Sequence, residues 1–198
     1  MSSAPSEDSS RPSDDALMSL VCQGDRRAFE LLVRRHEAAI RRYLGRMVGP
    51  AEAADLCQET LVSIWEMRSR YRAEGRFVAL MYRVARSKAI SHLRWRRVRE
   101  VFAVAEARRH GHVPPTDQGA APDPAALERL LASERDRALS ARVSSLPTAM
   151  RDAVVLHYVE GLDYATISEI TGAAEVTLRS RAHRGLALLA QQLGKGQS

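Results

Sequence analysis

Four prolines fall within the twelve residues VPPTDQGAAPDP, 113–124. Proline has no backbone N–H to give a helix or an inner strand, and it biases the residue before it away from helical geometry. This stretch therefore cannot sit inside a core element, and it cuts the chain in two. Residues 98–126 read as an extended linker, with helical pattern on either side. At 198 residues, 45% apolar and 27% charged, the chain is composed like a soluble globular protein. It has enough apolar material for two modest cores rather than one large one.

On the N-terminal side, residues 1–13 are rich in Ser and Pro and read as a disordered tail. Asp14 or Asp15 can cap a short helix, ALMSLVCQG, that Gly24 ends. Phe29, Leu32, Val33, His36, Ile40, Tyr43, Leu44 and Met47 then follow 3.6-residue spacing until Gly49–Pro50 stops it. AEAADLCQETLVSIWEM places Ala53, Cys57, Leu61 and Ile64 on one face and Asp55, Gln58, Glu59 and Glu66 on the other. After the loop RSRYRAEGR, a fourth helix starts near Arg76. Its apolar register is Phe77, Leu80, Met81, Val84, Ala85, Ala89 and Leu93. Beyond the linker the pattern resumes with AALERLLASERDRALSARVSSL. Pro147 suits the first turn of a helix over 147–159, which Gly161 closes. Asp163 can cap YATISEITG, and a last helix runs over 175–193. No strand-like alternation of useful length and no internal repeat is present. The fold class is all-α: a four-helix domain over 14–97 and a second helical domain over 127–193, with a short tail at 194–198.

The formal net charge is +6 and the pI about 9.9, which favours an anionic partner, nucleic acid before membrane. No apolar run approaches the ~18 residues of a membrane span, and the N-terminus has no signal-peptide core, so a cytoplasmic protein is expected. Cys22 and Cys57 lie in helices without metal-ligand or CxxC spacing and read as reduced thiols. There is no Gly-rich phosphate loop, no nucleophile–base signature and no metal-ligand set. The expectation is a protein that is not an enzyme, with no catalytic residues, metal or cofactor.

Placement of the charge is more specific than its amount. Eight basic residues pass without one acid from Arg76 to Arg99, on the face of the fourth helix opposite its apolar stripe. Such a face repels itself, and an anionic ligand relieves it. Tyr71, Phe77, Tyr82 and Trp95 are interleaved with these cations, a combination suited to single-stranded nucleic acid, where bases stack and phosphates are neutralised. The acidic and amide face of the third helix suits a basic protein partner. Near the C-terminus, DYATISEITGAAEVTLRSRAHRGLALL forms a helix-turn-helix. Leu178, Ala182, Leu186, Leu189 and Leu193 turn inward, and Thr177, Arg179, Ser180, Arg181, His183 and Arg184 face out. An outward Arg early in such a helix can grip guanine O6 and N7 while its neighbours hold phosphates. Two readings remain open at this point: a subunit that opens DNA, or a conventional helix-turn-helix transcription regulator with an N-terminal sensing or dimerisation domain.

The stretches GDRRAFELLVRRH, AADLCQETLVSIW, RFVALMYRVARSKAISHLRWRR and LPTAMRDAVVLHYVEGLDYATISEITG, followed by TLRSRAHRGL, resemble the extracytoplasmic-function (group IV) sigma factors of bacterial RNA polymerase. The resemblance covers about 14–97 and 127–193. It implies a sigma-2 domain whose third helix, through Asp55, Gln58, Glu59 and Trp65, grips the coiled coil of the largest polymerase subunit. It implies that loop 69–77 and the basic helix open the −10 promoter element and hold a flipped base. The contacts implied there are Arg70, Tyr71, Arg76, Phe77, Arg83, Arg86, Ser87, Lys88, Ser91, Arg94, Arg96 and Arg97. A sigma-4 domain would read the −35 element through Thr177, Arg179, Ser180, Arg181, His183 and Arg184 and dock on the polymerase flap. An anti-sigma factor is the further partner implied. The chain departs from the family at Ser87, Leu80 and Ser91, where Asn, Trp and Asp are usual. It also has Ala174 and Glu175 where a capping Ser and an apolar residue are common.

Overall fold

The computed structural model describes residues 12–72, 75–110 and 139–194, and within these it is helical throughout, without a strand. Helix α1 (Asp14–Cys22) is capped by Ser13, whose hydroxyl accepts from the Ala16 N–H at 3.2 Å. Asp25 caps α2 (Arg26–Val48) by accepting from the N–H groups of Arg27 and Ala28. Gly49, at φ 112°, makes the turn that Pro50 converts into the first residue of α3 (Pro50–Glu66). A 3-10 turn at Arg68–Arg70 leads to α4 (Phe77–His110). Leu17, Met18, Leu32, Ile40, Leu44, Ile64 and Met81 form the heart of this first core.

The described part of the second domain opens with helical residues 139–145. Helix α5 (Thr148–Val154) runs on into a π-helical turn at Val155–Val159. Helix α6 (Tyr164–Thr171) begins at Asp163, which accepts from the Thr166 N–H at 2.7 Å, and ends on Gly172 at φ 73°. Helix α7 (Glu175–Gly194) completes the helix-turn-helix and packs along α5. Leu146, Val155, Leu156, Ile167, Leu178 and Ala182 are buried between these helices.

Three sequence expectations change. The helix expected to end at Arg97 continues to His110, since no proline or glycine interrupts Val98–His110. Residues 111–126 of the expected linker, and 127–138 of the second domain, lie outside the described residues. At the N-terminus, Ser13 rather than Asp14 or Asp15 caps α1, and Arg35 donates to the Pro12 carbonyl, so the end of the expected tail takes part in the fold. In α7 the residue turned inward is Gly185, while Leu186 is 37% exposed. A Cβ at position 185 would stand 2.6 Å from Val154 Cγ2, so glycine permits the close approach of α7 to α5.

Candidate nucleic-acid interface

The register of α4 separates its two faces cleanly. Phe77, Met81, Tyr82, Val84, Ala85 and Ala89 are buried, whereas Arg83, Ser87, Ser91, Arg94, Arg96 and Arg97 are exposed. Lys88 is half-buried and sits 3.3 Å from Glu59 of α3. Trp95 is 54% exposed, with the Arg99 guanidinium 4.5 Å over its ring, an amphipathic pair on the solvent side. Phe77, expected at the DNA face, is 3% exposed and packs its ring against His36 and Tyr71. It belongs to the core because it begins the apolar register of the helix. Tyr71 donates its hydroxyl to Asp15, and burial followed by that carboxylate pushes its phenol well above the ordinary range.

A cavity of about 430 Å³ opens where the 3-10 turn meets α4, and Met67, Arg70, Tyr71, Arg72, Arg76, Leu80 and Arg83 line it. Apolar walls with a cationic rim are what a flat base attached to a phosphate requires.

On α3, Asp55, Gln58 and Glu59 are exposed along one face with Val62, which is 54% exposed. Trp65, expected on the same surface, is half-buried: its ring lies 5.1 Å from that of Phe29, and the Arg68 guanidinium covers it at 4.3 Å. On α7, Thr177, Arg179, His183 and Arg184 are exposed, and Ser180 and Arg181 partly so. Arg179 lies 3.3 Å from Glu175, one turn back, and over the Tyr164 ring at 5.4 Å. Glu175 thus pairs with an outward cation of α7 at i,i+4 spacing.

The joint between the domains was also absent from the sequence reading. The Tyr43 hydroxyl donates to Asp152 at 2.8 Å, and Arg86 Nε donates to the other carboxylate oxygen at 2.7 Å. Arg42 grips both oxygens of Glu160, at 2.9 and 2.6 Å, and Tyr82 donates to the same group at 2.8 Å. The side chains of Asp152 and Glu160 are only 2% and 1% exposed. Burial raises the Asp152 carboxyl against the pull of Arg86. Arg83 donates to the Glu169 carbonyl at 3.0 Å, and Arg76 lies 3.9 Å from the Glu169 carboxylate. Arg151, buried, donates to the carbonyls of Met47, Ser144 and Leu146; desolvation, then the nearby Arg96, lowers its pKa.

Fold and charge thus define a class, an all-α, two-domain protein with a helix-turn-helix and a second cationic face. Sequence comparison makes it particular. The model for sigma-70 region 2 matches residues 32–99, and that for sigma-70 region 4 matches 136–189. The ECF RNA polymerase sigma-E factor of Haemophilus influenzae is 28% identical over 193 residues, 91% of this chain and 95% of that protein. The sigma-E factor of Escherichia coli K12 is 29% identical over 184 residues, 86% of this chain and 89% of its own. Among solved structures, CnrH in complex with the cytosolic domain of CnrY superposes with a TM-score of 0.66 at 21% identity, covering 92% of this chain and 97% of that one. Bartonella quintana RpoE, solved with the anti-sigma factor NepR, gives 0.60 at 20% identity, covering 84% and 96%. The chain belongs to the sigma-70 family, as a sigma factor of the extracytoplasmic-function class.

Proposed function

We propose that this sigma factor takes core RNA polymerase through the exposed face of α3, opens the −10 element on α4 and reads the −35 element with α7. It acts in the cytoplasm as a specificity subunit and catalyses no reaction itself. The working units are the first domain over 14–97 and the second over 127–193. Asp55, Gln58 and Glu59 form the acidic patch for the polymerase coiled coil. Arg70, Arg76 and Arg83 ring the cavity that receives an extruded base, whose unstacking costs a few kcal/mol. Arg86, Lys88, Arg94, Arg96 and Arg97 neutralise the flanking phosphates, and Ser87 and Ser91 lie exposed among them. Phe77 supports this surface from beneath. The observation that carries the reading is the exposed run of cations on α4, set over a buried stripe and ending at a cavity with room for a base. An anti-sigma factor is the fitting inhibitor: of two solved structures of the same fold, RpoE is held by the anti-sigma factor NepR and CnrH by the cytosolic domain of CnrY.

The test reconstitutes the chain with core polymerase on a promoter library and maps start sites. Transcripts that need this protein are expected. No stable association with core, or no dependent transcript, overturns the reading. Within such promoters, Arg179→Ala or Arg181→Ala relaxes discrimination in the −35 element by about 1–3 kcal/mol where the residue is bidentate to guanine. An unchanged −35 preference in both variants would remove α7 from the recognition role.

A further inference from the structure

A second cavity, of about 790 Å³, is framed by the last turns of α2, the first residues of α3, Arg96 of α4 and residues 140–144. Arg41, Arg42, Arg46, Arg96 and Arg151 line it, and no acidic side chain is among the described residues that do so. Arg42 pairs with Glu160, and Arg41 lies 3.6 Å from Glu37 one turn back on α2. Arg151 is different. It is 7% exposed, and its terminal nitrogens donate to the neutral carbonyls of Met47, Ser144 and Leu146. Its Nε, also buried, has no hydrogen-bond partner among the described residues. The adjacent carboxylate of Asp152 is engaged by Tyr43 and Arg86. Burial and the nearby Arg96 outweigh what Asp152 does for the Arg151 charge, so an anion in the cavity would be welcome to it.

Two further features point to the kind of anion. Gly49 begins α3 without a side-chain cap, and Glu52 in that first turn does not line the cavity, so the partial positive charge of the helix end adds to the cationic wall. Met47, Val48 and Pro50 give the cavity an apolar side as well. Guanidinium groups take phosphate oxygens in bidentate fashion, and five of them exceed what a single phosphate can engage. The volume is that of a small-molecule site. We infer that this cavity binds a small molecule carrying a chain of phosphates, the guanidinium groups holding the chain and the apolar side accepting a nucleoside where one is attached. The site goes beyond the promoter reading and shares only Arg42 and Arg96 with groups assigned a partner or a role above.

The test is titration calorimetry of the full chain with tripolyphosphate, ATP and AMP at about 150 mM salt, where diffuse surface attraction is screened. Tripolyphosphate and ATP are expected to bind at one site, and AMP about tenfold or more weakly. Arg41→Gln/Arg46→Gln removes two cations of the wall and is expected to weaken tripolyphosphate by about tenfold or more. Arg27→Gln/Arg34→Gln removes two exposed cations from the first half of α2 and is expected to bind as wild type does. Should the Arg46 variant fail to fold, Ala141→Trp fills the cavity from an exposed position without altering charge, and is expected to weaken both ligands. ATP tighter than tripolyphosphate identifies a nucleotide as the ligand, and ATP no tighter identifies the free polyphosphate chain; either supports the site. Absence of saturable binding overturns it. So does a loss of affinity no greater in Arg41→Gln/Arg46→Gln and Ala141→Trp than in the charge-matched control.

Discussion

Cys57 lies buried under α2, its thiol 3.9 Å from the Glu37 carbonyl, and burial pushes its pKa up to about 11. Only ~1 thiol in a few thousand is then ionised at pH 7.4, and the thiolate is the reactive form. N-ethylmaleimide at that pH is expected to leave Cys57 unmodified in the native protein, by mass spectrometry, and to label it after denaturation. Rapid labelling of native Cys57 would contradict its placement. Burial of this thiol was legible from its position on the apolar stripe of α3. The helix cap was not so easily read. Ser13, Asp14 and Asp15 are three consecutive capping residues, and sequence gives no reason to prefer one. The fold decides by using the other two elsewhere, Asp14 with Arg35 and His36, and Asp15 with Tyr71.

Among the elements, α7 joins two requirements, an outward cationic face, proposed above to read DNA, and an inward face thin enough to lie against α5. Gly185→Ala adds a Cβ within 2.6 Å of Val154 Cγ2. Alanine gains about 1 kcal/mol of helix propensity over glycine, but overpacking a stiff β-branched neighbour costs about 1–3 kcal/mol. The net effect is expected to be a lower melting temperature, read by circular dichroism, with weaker −35 binding as α7 shifts. A melting temperature at or above wild type would show that Val154 gives way. Periodicity placed this helix but chose Leu186 for its inner face, because a hydrophobic count cannot see that a missing side chain is what packs. Likewise α4 overran its expected end by 13 residues: the prolines begin only at Pro114, and nothing in Val98–His110 breaks a helix.

Across the whole molecule, the two domains are fastened by polar groups rather than by an apolar seam alone. Tyr43→Phe leaves the Asp152 carboxylate, already desolvated, with one fewer donor. That loss is expected to cost about 1–3 kcal/mol by denaturant titration, and it loosens the joint without touching a DNA-facing residue. No change in stability would place the Tyr43 hydroxyl outside the energetics of the joint. This level of structure was the least legible. The α-helical class, the helix-turn-helix and the cationic run all followed from spacing within single helices. The pairing of Arg86 with Asp152, or of Arg42 with Glu160, links positions 66 and 118 residues apart, and such contacts leave no periodic trace.

The two domains belong to one chain, which changes what the joint between them has to achieve. A covalent link between two modules makes their association intramolecular, at an effective concentration that reaches the order of millimolar. Polar contacts such as Arg86 with Asp152 and Arg42 with Glu160 can therefore hold the domains together where two separate proteins would part. In the proposed function, the same covalent link makes the second promoter contact unimolecular once the first is made.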